Sequence, residues 1–233
     1  MNSARPPWAD KAIFITGTDT GVGKTLLTAM LLHHLRQSGV HALAMKPFCS
    51  GDREDVELLR RLQDGELQPD EINPFYFRDP VAPLVAARSE CRRITCSQVI
   101  AAVGEIADRC DWLLIEGAGG VLVPLGETFS VLDLIARSDC RVLIVSRNRL
   151  GTINHTRLTV AALQSRGIRQ LKVVVVQPRD PDSSSSSNIL TLRELLGSLP
   201  VLAIPDLNLR ATQIRTVKEN QKKLKKTLAR VLE

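Results

Sequence analysis

Residues 17–25 read Gly-Thr-Asp-Thr-Gly-Val-Gly-Lys-Thr and follow the apolar run Ile13-Phe14-Ile15. A phosphate chain needs several backbone N–H groups converging on its oxygens, and glycines such as Gly21 and Gly23 let the backbone wrap that closely. Lys24 supplies an ammonium for the outer phosphates and Thr25 a hydroxyl for a magnesium ion, while the helix that starts there adds a partial positive charge. The spacing departs from the common G-x-x-x-x-G-K-[ST], because position 18 is Thr and the first glycine, Gly17, stands one residue further back. The strand before the loop and Leu26, Leu27, Met30, Leu31 and Leu35 after it provide the strand–loop–helix context that a phosphate loop requires. A turn that merely closes a strand–helix pair gives Lys24 and Thr25 no role. These residues predict a site for a magnesium nucleotide.

Two more segments end in residues with chemical potential. The run 112–115 is apolar and leads into Glu116-Gly117-Ala118-Gly119-Gly120. In open parallel sheets the ligand sits at the carboxyl ends of the strands, so Glu116 is placed to hold magnesium directly or through water; the plain alternative is a solvated strand-end acid. Met45-Lys46-Pro47-Phe48-Cys49-Ser50-Gly51 puts Lys46 and Ser50 on the same edge. Lys46 reads equally as a surface charge or as a cation for a transferred phosphoryl group. Asp55 is either a further metal ligand or an acid favoured by the dipole of the next helix, with Asp52 and Glu54 as competitors. No base is placed by sequence to activate Cys49, which reads as a packing residue.

These residues need elements to position them. Apolar strand candidates fall at 12–16, 42–45, 112–115, 141–146, 172–176 and 201–204. Helical patterns lie between them at about 25–37, 54–64, 97–109, 130–137, 152–166 and 188–197, with a last one from about 213. Alternating strands and helices predict an α/β fold, a mostly parallel twisted sheet covered on both faces. A length of 233 residues suits one such domain. Residues 1–10 read as a flexible extension and the serine run in 182–188 as a flexible surface loop. The proline-marked stretch 65–96, with Pro69, Pro74, Pro80 and Pro83, reads as a long irregular connection of the kind that faces substrate.

Composition narrows the setting. No stretch is apolar enough to span a membrane, and the N-terminal segment lacks the apolar core of a secretory signal, so a cytoplasmic protein is expected. The five cysteines lack C-x-x-C spacing, which argues against a disulfide framework and a zinc site. The net charge of +6 is accounted for from Asn208 onward, where eight basic residues face two acidic ones. Val217, Leu224, Leu228 and Val231 share one helical face there, so 213–233 reads as a basic amphipathic helix docked on the body; without aromatics it does not read as a nucleic-acid site.

Taken together, the motifs resemble the dethiobiotin synthetases, ATP-dependent enzymes that close the ureido ring in biotin synthesis. The resemblance is carried by 17–25, Lys46-Pro-Phe-Cys-Ser-Gly51, Asn73-Pro-Phe75, Glu116-Gly-Ala-Gly-Gly120, Leu150-Gly-Thr-Ile-Asn-His155 and Ile204-Pro205. It implies a P-loop NTPase fold, ATP as cosubstrate, and magnesium held through Thr25, Asp55 and Glu116. Lys46 and Lys24 would be catalytic. Nucleotide contacts would come from Gly21, Val22, Gly23, Lys24, Thr25, Leu26, Asp55, Glu116, Gly117, Ala118, Gly119, Gln177, Pro205 and Asp206. Substrate contacts would come from Thr20, Ser50, Gly151, Thr152, Ile153 and Asn154, the last four across a homodimer interface. Relatives carry an asparagine that reads the adenine edge where this chain has Gln177 and Pro178, which predicts modest base discrimination. Val81 and Ala82 stand where hydroxyl residues are common. The competing class, partitioning ATPases of the related deviant phosphate-loop group, carries a lysine where this chain has Asp19.

Overall fold

The computed structural model describes residues 5–205 and 213–233. In chain order the elements are β1 (Ala12–Gly17), α1 (Lys24–Gln37), β2 (Ala42–Met45), β3 (Phe48–Ser50), α2 (Glu54–Leu62), α3 (Pro69–Ile72), β4 (Phe75–Phe77), α4 (Pro83–Ser89), α5 (Cys96–Ala107) and β5 (Trp112–Gly120). They continue with β6 (Pro124–Gly126), β7 (Phe129–Ser130), α6 (Val131–Ser138), β8 (Arg141–Arg147), α7 (Thr152–Ser165), β9 (Leu171–Val176), α8 (Ser185–Leu196), β10 (Val201–Ile204) and α9 (Ile214–Leu232).

Six strands form one sheet in the order β10-β9-β8-β1-β5-β2, and every neighbouring pair is parallel. Parallel strands need crossovers, and the helices that make them bury both faces; this is why β1 and β2 are buried at every position instead of alternating. Strand β1 lies centrally, with β8 on one side and β5 on the other, so the loop after it opens at the middle of the carboxyl edge. Helix α9 packs along α1 and buries Val217, Leu224, Leu228 and Val231, leaving its lysines in water.

Three segments differ from the sequence expectation for physical reasons. The proline-marked 65–96 stretch holds α3, β4 and α4, because Pro69 and Pro83 open those helices, where a missing N–H costs nothing. Of residues 1–10, the described ones from Arg5 on are tied down by apolar burial: Trp8 is only 4% exposed and its indole lies against Gly104 of α5. The serine run divides: Ser183 and Ser184 form a turn and Ser185 begins α8, because Asp182 accepts hydrogen bonds from the backbone N–H groups of Ser184 (3.0 Å) and Ser185 (3.1 Å). Strand β5 also runs past Glu116 to Gly120, pairing Gly120 with Gly17.

The α1–α9 contact carries a pH dependence. His33 and His34 are buried on α1, and Gln221 of α9 bonds His34 Nδ1 at 3.1 Å. Burial lowers the pKa of His33, helped by Lys218, Lys222 and His34 against the opposing pull of Asp64; burial and Lys225 lower that of His34. The unfolded chain therefore takes up these protons first, so their contribution to stability is complete above about pH 6.5 and is lost as pH falls below it. We predict that the thermal midpoint drops as pH falls below about 6.5, and that His33→Gln with His34→Gln flattens this drop.

Candidate active site

The loop after β1 is shaped by glycine at two positions. A Cβ on Gly17 would stand 2.8 Å from Val22 Cγ2 and 2.9 Å from the Asp19 carbonyl, so only glycine lets the loop curl back over itself. Gly23 caps α1 with φ 107°, a left-handed conformation that other residues resist. The loop is anchored to β8 by Thr18 N–H, which donates to the Val145 carbonyl at 3.0 Å. Lys24 is 7% exposed and its Nζ donates to the Asp19 carbonyl at 2.9 Å. Burial pulls its pKa down to about 8, with Lys46 adding to that effect and Glu116 opposing it.

Glu116 stands in β5, beside β1, and is 1% exposed. Its Oε1 accepts from the Thr25 hydroxyl at 2.7 Å and lies 3.1 Å from Lys46 Nζ. Its Oε2 is buried with no hydrogen-bond partner among the described residues. Lys46, just past β2, also pairs with Asp55. Burial works against its charge, but Glu116 and Asp55 outweigh that and hold its pKa above the ordinary lysine value. Its backbone is fixed from behind: Lys46 N–H donates to the Ile72 carbonyl at 2.8 Å and Asn73 Nδ2 to the Lys46 carbonyl at 3.0 Å. The Asn73-Pro-Phe motif thus braces the lysine.

A cavity of about 610 Å³ opens over this group. Thr20, Gly21, Gly23, Lys24, Thr25 and Leu26 line it from the loop, Lys46, Ser50 and Asp55 from the β2 side, and Glu116, Gly117, Ala118 and Gly119 from β5. Asp52 lines it too, while its Oδ1 accepts from the Glu54 N–H at 3.1 Å; Asp55 alone of the three acids reaches Lys46. Val22 lies behind the loop, buried. Gly151, Thr152, Ile153 and Asn154 at the start of α7 do not line this cavity, nor do Gln177 and Pro205, which follow β9 and β10 on the same sheet edge. Asp206 lies outside the described residues. Val81 and Ala82 form the opposite wall, with Pro80 and Pro83.

The buried, unpartnered Glu116 Oε2 beside the Thr25 hydroxyl and the Asp55 carboxylate is a donor set of hard oxygens, which fits magnesium, an ion that needs one or two carboxylates besides waters and phosphates. Sequence reasoning missed Asn148. It follows the apolar strand β8 as Gln177 follows β9, and that shared position at the carboxyl edge was the available signal.

Residues 11–208 match a family model described as an AAA domain. The ATP-dependent dethiobiotin synthetase of Anaeromyxobacter sp. (strain Fw109-5) is 38% identical over 94% of this chain and 97% of its own length. That of Bacillus subtilis (strain 168) is 36% identical over 83% and 86%. Among solved structures, a ParA family ATPase from Chlorobium tepidum TLS superposes with a TM-score of 0.57 at 16% identity, covering 94% of this chain and 92% of that one. MinD from Aquifex aeolicus gives 0.54 at 17%, covering 93% and 97%. At those identities the two structures show a shared phosphate-loop NTPase fold and no more. With more than a third of its residues shared along nearly its whole length, the chain belongs to the ATP-dependent dethiobiotin synthetase family.

Proposed function

We propose that the chain closes the ureido ring of dethiobiotin from 7,8-diaminopelargonate, carbon dioxide and ATP, at the cavity where Lys24, Thr25, Lys46, Asp55 and Glu116 converge. The observation that carries this is the Thr25–Glu116–Lys46 junction. It joins the phosphate loop to a lysine braced at the cavity wall, an arrangement suited to phosphoryl transfer.

In this reading one amine adds to carbon dioxide and loses a proton, giving a carbamate. A carbamate oxygen attacks the γ-phosphorus and the bond to ADP breaks. The neighbouring amine then attacks the carbonyl carbon, the carbon–oxygen bond to phosphate breaks, and the ring closes. Lys46 serves as a fixed positive charge and not as a base, because Glu116 and Asp55 keep it protonated. Lys24 faces the outer phosphates, and Thr25, Asp55 and Glu116 Oε2 would hold magnesium. When bound, that ion neutralises charge on the phosphate oxygens.

The start of α7 supports a second subunit in the site. The N–H groups of its first turn suit a carboxylate and the Thr152 hydroxyl is buried without a partner among the described residues, yet these residues are absent from the cavity wall of their own chain. Exposed Leu150 and Leu158 flank them. We infer a homodimer in which this helix end receives the substrate carboxylate of the partner's site.

The direct test is bicarbonate-dependent ADP formation with diaminopelargonate as the varied substrate. Wild type should show it, and Lys46→Ala should lose roughly a hundred- to a thousandfold in turnover, the loss expected for a donor aimed at developing charge. Because Lys46→Ala also strips Glu116 of its buried counter-charge, its melting temperature should fall; loss of a buried partner costs roughly 3–5 kcal/mol. Turnover of Lys46→Ala equal to wild type would remove it from the mechanism.

A pH series tests Lys24. Its ammonium is lost as pH rises through about 8, so ATP affinity of the wild type should weaken above that value. Lys24→Arg, which keeps its charge, should show no such break. A wild-type affinity flat to pH 10 would contradict the assignment.

Complementation tests the dimer. Asn154→Glu places a repelling charge at an exposed position in the first turn of α7, where an acid suits the helix itself. Asn154→Glu and Lys46→Ala should each be inactive alone. Mixed and refolded, they give heterodimers with one intact site, so about a quarter of wild-type activity should return. Proven heterodimers without activity would place the carboxylate elsewhere.

A further inference from the structure

Lys46, Ser50, Asp55 and Glu116 all lie on the β5–β2 side of the phosphate loop. A triphosphate in the loop turns its reacting end that way, so its nucleoside leaves over β8 and β9. This step rests on the loop reading given above. The first residues past those two strands are Asn148 and Gln177; strands about 4.8 Å apart put Gln177 roughly 10 Å from β1, within a nucleoside's reach of the loop.

The two amides meet in a fixed order. Asn148 is 0% exposed, and its Nδ2 lies 2.8 Å from the Ser185 main-chain carbonyl, which can only accept. Its Oδ1 accepts from Asn188 Nδ2 at 2.8 Å, and that nitrogen also lies 3.3 Å from the Arg149 carbonyl. The remaining N–H of Asn148 Nδ2 points at Gln177 over 2.7 Å, so the Gln177 atom facing it must be the oxygen, Oε1. A backbone carbonyl in α8 thereby dictates the polarity of the Gln177 amide. Gln177 is half-buried, and its Nε2 has no partner among the described residues.

We infer that Asn148 is a positioning residue that locks Gln177 as a hydrogen-bond donor toward the nucleobase, so that the site takes a purine with an oxygen at its six-position about as well as adenine. An adenine amino group needs an acceptor, and the acceptor of Gln177 is already engaged by Asn148. A six-position oxygen needs a donor, and Nε2 is one. Asn188 and the Ser185 carbonyl hold the lock from behind.

The test is calorimetric binding of Mg·ADP and Mg·IDP to the full chain, which reads the base independently of turnover. The dissociation constant for IDP should lie within tenfold of that for ADP. Gln177→Glu keeps the acceptor facing Asn148 and turns the outward donor into an acceptor, so it should raise the IDP/ADP ratio at least tenfold. Asn148→Asp should turn the Gln177 amide around and move the ratio the same way; if that variant does not fold, Gln177→Glu alone decides. A wild-type ratio above ten, a shift below tenfold in Gln177→Glu, or an unmoved ratio in folded Asn148→Asp overturns the inference. Lys24→Ala separates the causes. Binding that Lys24→Ala weakens, together with a ratio that Gln177→Glu leaves unmoved, sinks only the base assignment, whereas binding that Lys24→Ala leaves intact sinks the loop reading and this inference with it.

Discussion

One buried carboxylate organises the site. Glu116 is removed from water, and a charge so placed costs several kcal/mol unless it is met by partners, so it must be approached from more than one side. Thr25 approaches from the helix after β1 and Lys46 from the end of β2. These contacts are possible only because β5 lies between β1 and β2 in the sheet, although it follows both in sequence by more than sixty residues. Strand order, set by burial of apolar faces, thus decides where the loop lysine and the wall lysine stand relative to each other. The residual valence of Glu116, its unpartnered oxygen, is what that arrangement leaves directed to chemistry.

The sheet edge divides around the phosphate loop. Around the loop and on its β5–β2 side, Lys24, Lys46, Asp52, Asp55 and Glu116 line one cavity with the Thr25 hydroxyl. On the β8–β9 side a set of neutral amides is joined through Asn148 to Gln177, Asn188 and the backbone of α8. Asp182 ties the same region together, since it caps α8 and also accepts from the Leu150 N–H at 2.8 Å, just ahead of α7. Charges serve where negative charge develops, and amides serve where shape and hydrogen-bond polarity are read. The likeness to ParA and MinD extends to the frame alone; the braced Lys46 is a matter of this chain's own loops.

Much of this was legible in the sequence because it depends on local rules. The strands at 42–45 and 201–204 match residue for residue, since an apolar run bounded by breakers has one reading in an α/β chain. The phosphate loop was legible for the same reason. What was not legible depends on distant partners. Trp8 reads as part of a tail until α5 is placed beside it, and Ser185 reads as loop until Asp182 is seen capping the turn. Lys46 was an even choice between surface charge and catalytic cation, and its pairing with Glu116 and Asp55 depends on residues distant in sequence. Asp55 and Asp52 are both acids near one helix start, and spacing cannot say which one faces inward.

Neither Cys49 nor Lys46 is set up as a nucleophile. Burial raises the pKa of the Cys49 thiol, which donates to the Asp52 carbonyl at 3.1 Å, and Lys46 is held as a cation. The protein then contributes fixed charge and position, and the oxygen that attacks phosphorus must come from the substrate. Turnover with bicarbonate labelled with heavy oxygen, followed by mass analysis of the released phosphate, tests this most directly. The account predicts one labelled oxygen in each phosphate, carried from the carbamate. Unlabelled phosphate formed in step with dethiobiotin would contradict it.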